Sequence, residues 1–332
     1  MPIKTSFFLK FIAGLAAFLA MFVISIAFGA ADISVKDTWL ALFSSASNDA
    51  ISIIREIRLP RELAAVLVGA ALSVSGAIMQ GMTRNPLADP GLLGLTAGAN
   101  AALAITLAFI PGANYFNIMI ACFIGAAAGA ALVFGIGASK KGGFSPFRIV
   151  LAGAAISAFL TALAEGIALY FKISKDVSMW TAGGLIGTTW GQLQVIFPFI
   201  LVSLIIALLL SRQLSILSLS EEAAIGLGQK TGQTKALLFL VVTLLAGAAV
   251  ALAGNMAFVG LLVPHIVRMI VGIDYRHVIP MSAVVGAIFM LFANLLGRTL
   301  NAPFETPVAA IVAMLGLPFF LLIVRKGGGA FT

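Results

Sequence analysis

The chain has 332 residues, of which 61% are hydrophobic and only 10% charged, against about 25% charged in a typical soluble domain. With a mean hydropathy of +1.13 this excludes an ordinary soluble protein and points to an all-α polytopic membrane protein. The net charge of +8 is not gathered into a basic run, so no nucleic acid partner is expected, and one cysteine with two histidines leaves no basis for a disulfide or a Cys–His metal site.

The N-terminus reads M-P-I-K-T-S-F-F-L-K and continues apolar to Ala31. That core is too long for a signal peptide and lacks a clean A-x-A site, so a retained first helix is expected. Further apolar runs centre on residues 62–82, 92–110, 115–137, 147–171, 191–211, 235–253, 257–272, 278–297 and 306–324. Together these predict about ten membrane segments in a single transmembrane domain over residues 1–332, some short or tilted. With the N-terminus inside, thirteen of the 20 Lys and Arg fall on the inner side and seven on the outer, which favours cytoplasmic N- and C-termini. Arg58 and Arg61 head the second run, and Arg298 ends the ninth, all on the outer side where positive charge is disfavoured. They either snorkel at span ends or serve a partner.

Several polar segments punctuate the runs. Residues 32–60 form an external stretch, with Trp39 as an interface anchor. In T-R-N-P-L-A-D-P-G at 83–91, Asp89 suits an N-cap and Pro90 the first helical position of the next segment. Residues 139–146 read as an inside hinge-like turn, followed by Phe147. Glu165 is the ionisable group deepest within an apolar run, a candidate intramembrane polar site. It would touch a polar ligand, relay protons or bond neighbouring backbone. Residues 212–234 form the longest inside loop, where Ser218-x-x-Glu221 has capping-box spacing and Gly226 and Gly228 end the apolar turn. A short helix on the cytoplasmic surface is expected there. His265 lies beside Pro264 and is read as packing or bonding near a helix break. Gly94-x-x-x-Gly98 and Gly125-x-x-x-Gly129 have the spacing of close helix contacts. No G-x-x-x-x-G-K-[ST] phosphate loop occurs, so the chain itself is not expected to hydrolyse ATP or act as an enzyme.

Taken together, R-L-P-R at 58–61, G-A-x-x-x-x-S-G-A-x-M-Q at 69–80, N-P-L-A-D-P-G-L-L-G at 85–94, L-A-G at 151–153, E-E-A-A-x-x-L-G at 221–228, F-V-G-L-L-V-P-H-I-V-R at 258–268 and E-T-P-V at 305–308 resemble the permease subunits of iron-siderophore, haem and vitamin B12 ABC importers. The resemblance implies about ten helices per chain and a pathway between two permeases, identical or paralogous, in the bacterial cell membrane. It implies two cytoplasmic ATP-binding subunits that carry ATP and Mg, and an external substrate-binding protein, with no cofactor bound by this chain. Ferric siderophore is the expected cargo, with haem and a corrinoid as alternatives. The resemblance assigns ATPase coupling to Ser218, Ser220, Glu221, Glu222, Ala223, Ala224, Gly226 and Gly228. It assigns docking of the binding protein to Arg58, Arg61 and Arg298, and a cytoplasmic gate to Ser145, Pro146 and Phe147, although this Pro-Phe pair departs from the small polar residues common in the family. The rival reading is an ion-coupled secondary transporter, for which Glu165 is the only intramembrane candidate and the 212–234 loop would have no role.

Overall fold

The structure, a computed structural model, describes residues 2–29, 34–44, 46–91, 94–138, 146–181, 184–302 and 304–325, with side chains left aside for 2–6, 35, 134, 137–138, 146–150, 181 and 322–325. Every regular element among the described residues is helical. In chain order these are α1 (Pro2–Ala27), α2 (Val35–Phe43), α3 (Asp49–Ile53), a π-helical turn (Ile54–Arg58), α4 (Leu59–Thr83), α5 (Leu95–Phe109), α6 (Tyr115–Ala138), α7 (Pro146–Tyr170), α8 (Ser174–Thr181), α9 (Trp190–Leu209), α10 (Ser211–Leu219), α11 (Glu221–Gly226), α12 (Thr231–Ala253), α13 (Val259–Val271), α14 (Tyr275–Thr299) and α15 (Val308–Arg325).

Seven helices are long and apolar enough to cross a membrane, and α5, α13 and α15 are shorter apolar helices. Each of the ten runs read from the sequence therefore has a helix. Two of the short ones follow broken backbone. Before α13 the chain turns through Gly254 at φ 71° and Phe258 at φ 67°, a left-handed conformation that a bulky side chain adopts only when its surroundings hold it.

Helix α4 is the centre of the molecule, buried along most of its length, with α12, α13 and α14 packed around it. Hydrocarbon gives helices no apolar reason to associate, so close backbone approach must supply the packing. It does so here through glycine. A Cβ on Gly69 would stand 2.2 Å from the Gly286 carbonyl oxygen of α14, and one on Gly76 1.9 Å from that of Gly260 in α13. The predicted glycine pairs pack α5 on α6 in the same way, with Gly98 and Gly125 in mutual backbone contact. Helices α5, α6 and α7 form a second group, and the α7–α5 contact has its own small core of Ala101, Ala104, Leu160 and Ala164.

Two local expectations are corrected. Asp89 does not cap the next helix: α5 starts at Leu95 with Gly94 as its N-cap. The Asp89 carboxylate instead accepts from the Gly91 N–H at 2.7 Å and lies against Gly260 in the first turn of α13, where the helix dipole favours negative charge. The 212–234 loop, with the residue before it, holds two short helices, α10 and α11, and Ser218 caps neither. Its hydroxyl donates to the Ser215 carbonyl inside α10, while Ser220 caps α11 by accepting from the Ala223 N–H at 2.9 Å. Two serines lie within reach of the same helix start, and the chain turns at the second.

Candidate functional site: two charged ends and an open carboxylate

At the end of the molecule where α4 begins and α14 finishes, Arg58, Arg61 and Arg298 come together, as their shared side in the sequence reading requires. All are buried, at 5%, 6% and 4% exposure, and all are engaged within the chain. Arg58 Nη1 donates to the carbonyls of Ile26 and Ala27 at the end of α1. Arg298 Nη2 lies 2.6 Å from Glu62 Oε1 and also donates to the Ser25 carbonyl. Arg61 Nε donates to Asn294 Oδ1 at 2.8 Å, and its Nη1 reaches both oxygens of Glu305 at 2.7 and 2.9 Å. Glu62, wholly buried, accepts in addition from Ser25 Oγ and Asn294 Nδ2.

The arrangement follows from the cost of burying charge. A buried guanidinium or carboxylate is tolerated only when paired and hydrogen-bonded. Here Glu62 and Glu305 supply the charge, while Ser25, Asn294 and the frayed carbonyls of α1 supply the rest. Arg61 Nη2 and Arg298 Nε find no partner among the described residues. Sequence reasoning singled out neither Ser25 nor Asn294. Asn294 stands four residues before Arg298 on one helix face, a spacing that could have revealed it. Nearby, Arg55 ties the stretch before α4 by donating to the carbonyls of Ala41, Ala46 and Ser44, and exposed Trp39 lies against Phe43 with its ring plane tilted by 42°.

At the opposite end, α10 and α11 cross the surface between α9 and α12. Leu214, Leu217 and Ala224 are buried beneath them, whereas Leu219, Ile225 and Leu227 point outward. The adjacent glutamates divide. Glu221 accepts from Lys235 of α12 at 2.7 Å, while Glu222 is exposed, its carboxyl held below the usual range by its own backbone N–H and the Ser220 hydroxyl. Ala223 and Gly226 are exposed, and Gly228 ends the element at φ 77°.

Glu165 lies five residues before the end of α7, exposed, and outside every ion pair among the described residues. Ala158, Thr161, Ala162 and Gly166 share its open face. Helix α7 also exposes large apolar side chains, Leu151, Phe159, Leu163 and Leu169, as α9 does with Phe197, Leu201, Val202, Ile205 and Leu209. Ser145 and the side chains of Pro146 and Phe147 lie outside the described residues. His265 is buried edge-on to Phe319, and no group of three metal-ligating side chains occurs among the described residues.

The model of the FecCD transport family matches residues 17–326. The chain belongs to that family. Similar relatives include the iron(3+)-hydroxamate import system permease FhuB of Bacillus subtilis, 45% identical across 95% of this chain and 82% of that protein. The Fe(3+)-citrate permease YfmD of the same organism is 41% identical over 98% and 96%. The hemin permease HmuU of Yersinia pestis is 40% identical over 93% and 94%. A solved metal-chelate type ABC transporter in an inward-facing conformation aligns with TM-score 0.81 and 28% identity over 96% of this chain and 99% of that one. PsaBC from Streptococcus pneumoniae, solved in complex with Fab, has a TM-score of 0.61 over 79% and 88% at 20% identity, and so shares the fold.

As a FecCD member, this chain is a multi-pass cell-membrane permease of an ABC importer for iron chelates. It is a transport subunit and not an enzyme, and ATP hydrolysis lies in separate subunits.

Proposed function

We propose that the chain is one of two permeases enclosing the pathway of a ferric-siderophore importer, with a ferric trihydroxamate as cargo. The observation that carries this reading is the 45% identity to the hydroxamate permease along nearly the whole chain. The ten apolar helices cross the membrane with both termini in the cytoplasm. On that topology α10 and α11 face the ATPases. Leu219, Ile225 and Leu227 then enter a cleft of an ATPase beside Ser220, Glu222, Ala223, Gly226 and Gly228, while Ser218, Glu221 and Ala224 hold the element to the permease.

An external binding protein docks at the arginine end. Arg61 is the best placed of the three for a carboxylate on that partner, because its present partner, Glu305, is 31% exposed and can be exchanged at the surface. Arg58 and Arg298 act mainly by joining α1, α4 and α14. Glu165 faces water between the two permeases, since its charge does not suit hydrocarbon. Ser145, Pro146 and Phe147, at the inner start of the same helix, form the gate.

The test is uptake into proteoliposomes holding the permeases and ATPases, with the binding protein supplied outside. ATP-dependent uptake of ferrichrome, a ferric trihydroxamate, is the expected result. Uptake of ferric citrate or haemin in its place would move the cargo to another class, and uptake driven by an ion gradient without ATP would favour the secondary transporter.

A further inference from the structure

We propose that Ser215 and Asp274 form the joint through which the cytoplasmic element α10–α11 drives α4 and α14 during transport. The inference rests on the reading of that element as the ATPase contact and adds how its motion reaches the membrane.

Ser215 lies mid-way along α10. Its hydroxyl donates to Asp274 Oδ1 at 2.9 Å and accepts from the Tyr275 N–H, also at 2.9 Å. Both partners belong to the start of α14, where Asp274 is the N-cap and accepts from the Arg276 N–H at 3.0 Å. That hydroxyl also lies 3.1 Å from the Ser211 carbonyl of its own helix; its one proton goes to the nearer, charged acceptor, because a charge-assisted bond is stronger than a neutral one. Arg276 Nε, 2.9 Å from Asp274 Oδ2, keeps that carboxylate ionised, with its pKa lowered to about 2.

Packing closes the joint. A Cβ on Gly81 of α4 would meet the Tyr275 ring at 2.6 Å and Leu214 of α10 at 2.9 Å. The absent side chain thus lets α4, α10 and α14 meet at one point. From there α14 runs 25 residues, roughly 37 Å, to the arginine end. There Arg298 grips Glu62 of α4. Helices α4 and α14 are tied at both ends and share the most extensive helix contact among the described residues, so they form one body. Helix α7, in contrast, packs on α5, α6 and α8. A displacement of α10 therefore loads the α4–α14 body directly and reaches α7 only through neighbours.

An ordinary cap would stabilise α14 without affecting how ATP use converts to transport. The experiment separates these roles in proteoliposomes of the complete importer, using ferrichrome and, in parallel, ferric citrate and haemin. Ser215→Ala and Asp274→Ala are compared with wild type for complex assembly, ATP hydrolysis and chelate uptake. Ser215→Ala is expected to assemble and hydrolyse ATP normally while the ATP used per chelate imported rises about tenfold, within the range over which coupling networks respond to single substitutions. Ser215→Thr, which keeps the hydroxyl, is expected to restore the ratio. An unchanged ratio in both alanine variants would overturn the joint, and so would a loss of assembly in Ser215→Ala that leaves the ratio of the surviving complex normal. Failure of the wild type to import any of the three chelates would count against the proposed function itself.

Discussion

The arginine end and the open face of α7 place charge in a membrane protein in opposite ways. At the first, Arg58, Arg61, Arg298 and Glu62 are drawn out of water: Arg298 pairs with Glu62, Arg61 with the partly exposed Glu305, and Arg58 bonds the carbonyls that end α1. At the second, one carboxylate stands on the surface of the chain with no ion-pair partner among the described residues. The difference separates two uses of charge. A paired, buried network holds helices together and is silent toward solutes. An unpaired carboxylate at membrane depth persists only where water or another chain covers it.

The sharpest way to break this contrast is Arg298→Glu. It sets a second carboxylate against Glu62, and removing one partner of a buried pair costs about 3–5 kcal/mol. The variant should fail to yield folded monodisperse protein in detergent, and the exchange Arg298→Glu with Glu62→Arg should recover part of the loss. A variant that melts like wild type would make the arginines surface groups after all. Glu305→Gln tests the rim of the same network. Because Glu305 itself is partly exposed, the pair contributes about 0.2–1 kcal/mol, so the melt should barely move, while the affinity of the external binding protein for Arg61 should rise as its competitor weakens. A titration at two salt concentrations reads this directly.

Glu165→Gln should leave stability within about 0.5 kcal/mol, as for surface positions free of special contacts, yet lower uptake. A large loss of thermal stability would show that α7 is held through Glu165 by a partner chain. The smallest effect concerns pH. The Asp274 carboxyl is lowered from 3.8 to about 2 by Arg276, so its stabilising contribution is complete above pH 3.8 and is lost as pH falls through about 2. Uptake and melting should therefore show no transition from this group between pH 5 and pH 8; a midpoint in that window that disappears in Asp274→Asn would refute the assignment.

Much of this was legible beforehand. Apolar runs marked every long helix, and the glycine spacings marked the α5–α6 contact, because both signals are local. The arginines were legible as residues on the wrong side of the charge rule. Their partners were not, because Arg61 and Glu305 are 244 residues apart and nothing nearby in sequence links them. The short helix after residue 218 was legible, but its cap was assigned two residues early, since Ser218 and Ser220 both offer a hydroxyl and only the turn chooses. Asp89 was read as a local cap because a pattern cannot reveal the first turn of α13 arriving beside it. The joint at Ser215 lay beyond sequence reasoning for the same reason, its partners being 59 and 60 residues away.

The separation of these partners bears on how the protein is made. Glu62 enters the membrane with α4 early in synthesis, but Asn294 and Arg298, which satisfy it, follow more than 200 residues later. For most of translation Glu62 therefore has Ser25 in the chain already made, but neither its ion-pair partner nor its amide donor. Such a nascent chain needs shelter at the insertion machinery, or water at the outer surface, until α14 arrives. A chain stopped before residue 294 would be poor in exactly the contacts that let α4 settle at the centre, which makes the last third of the sequence the step that commits the whole protein to its fold.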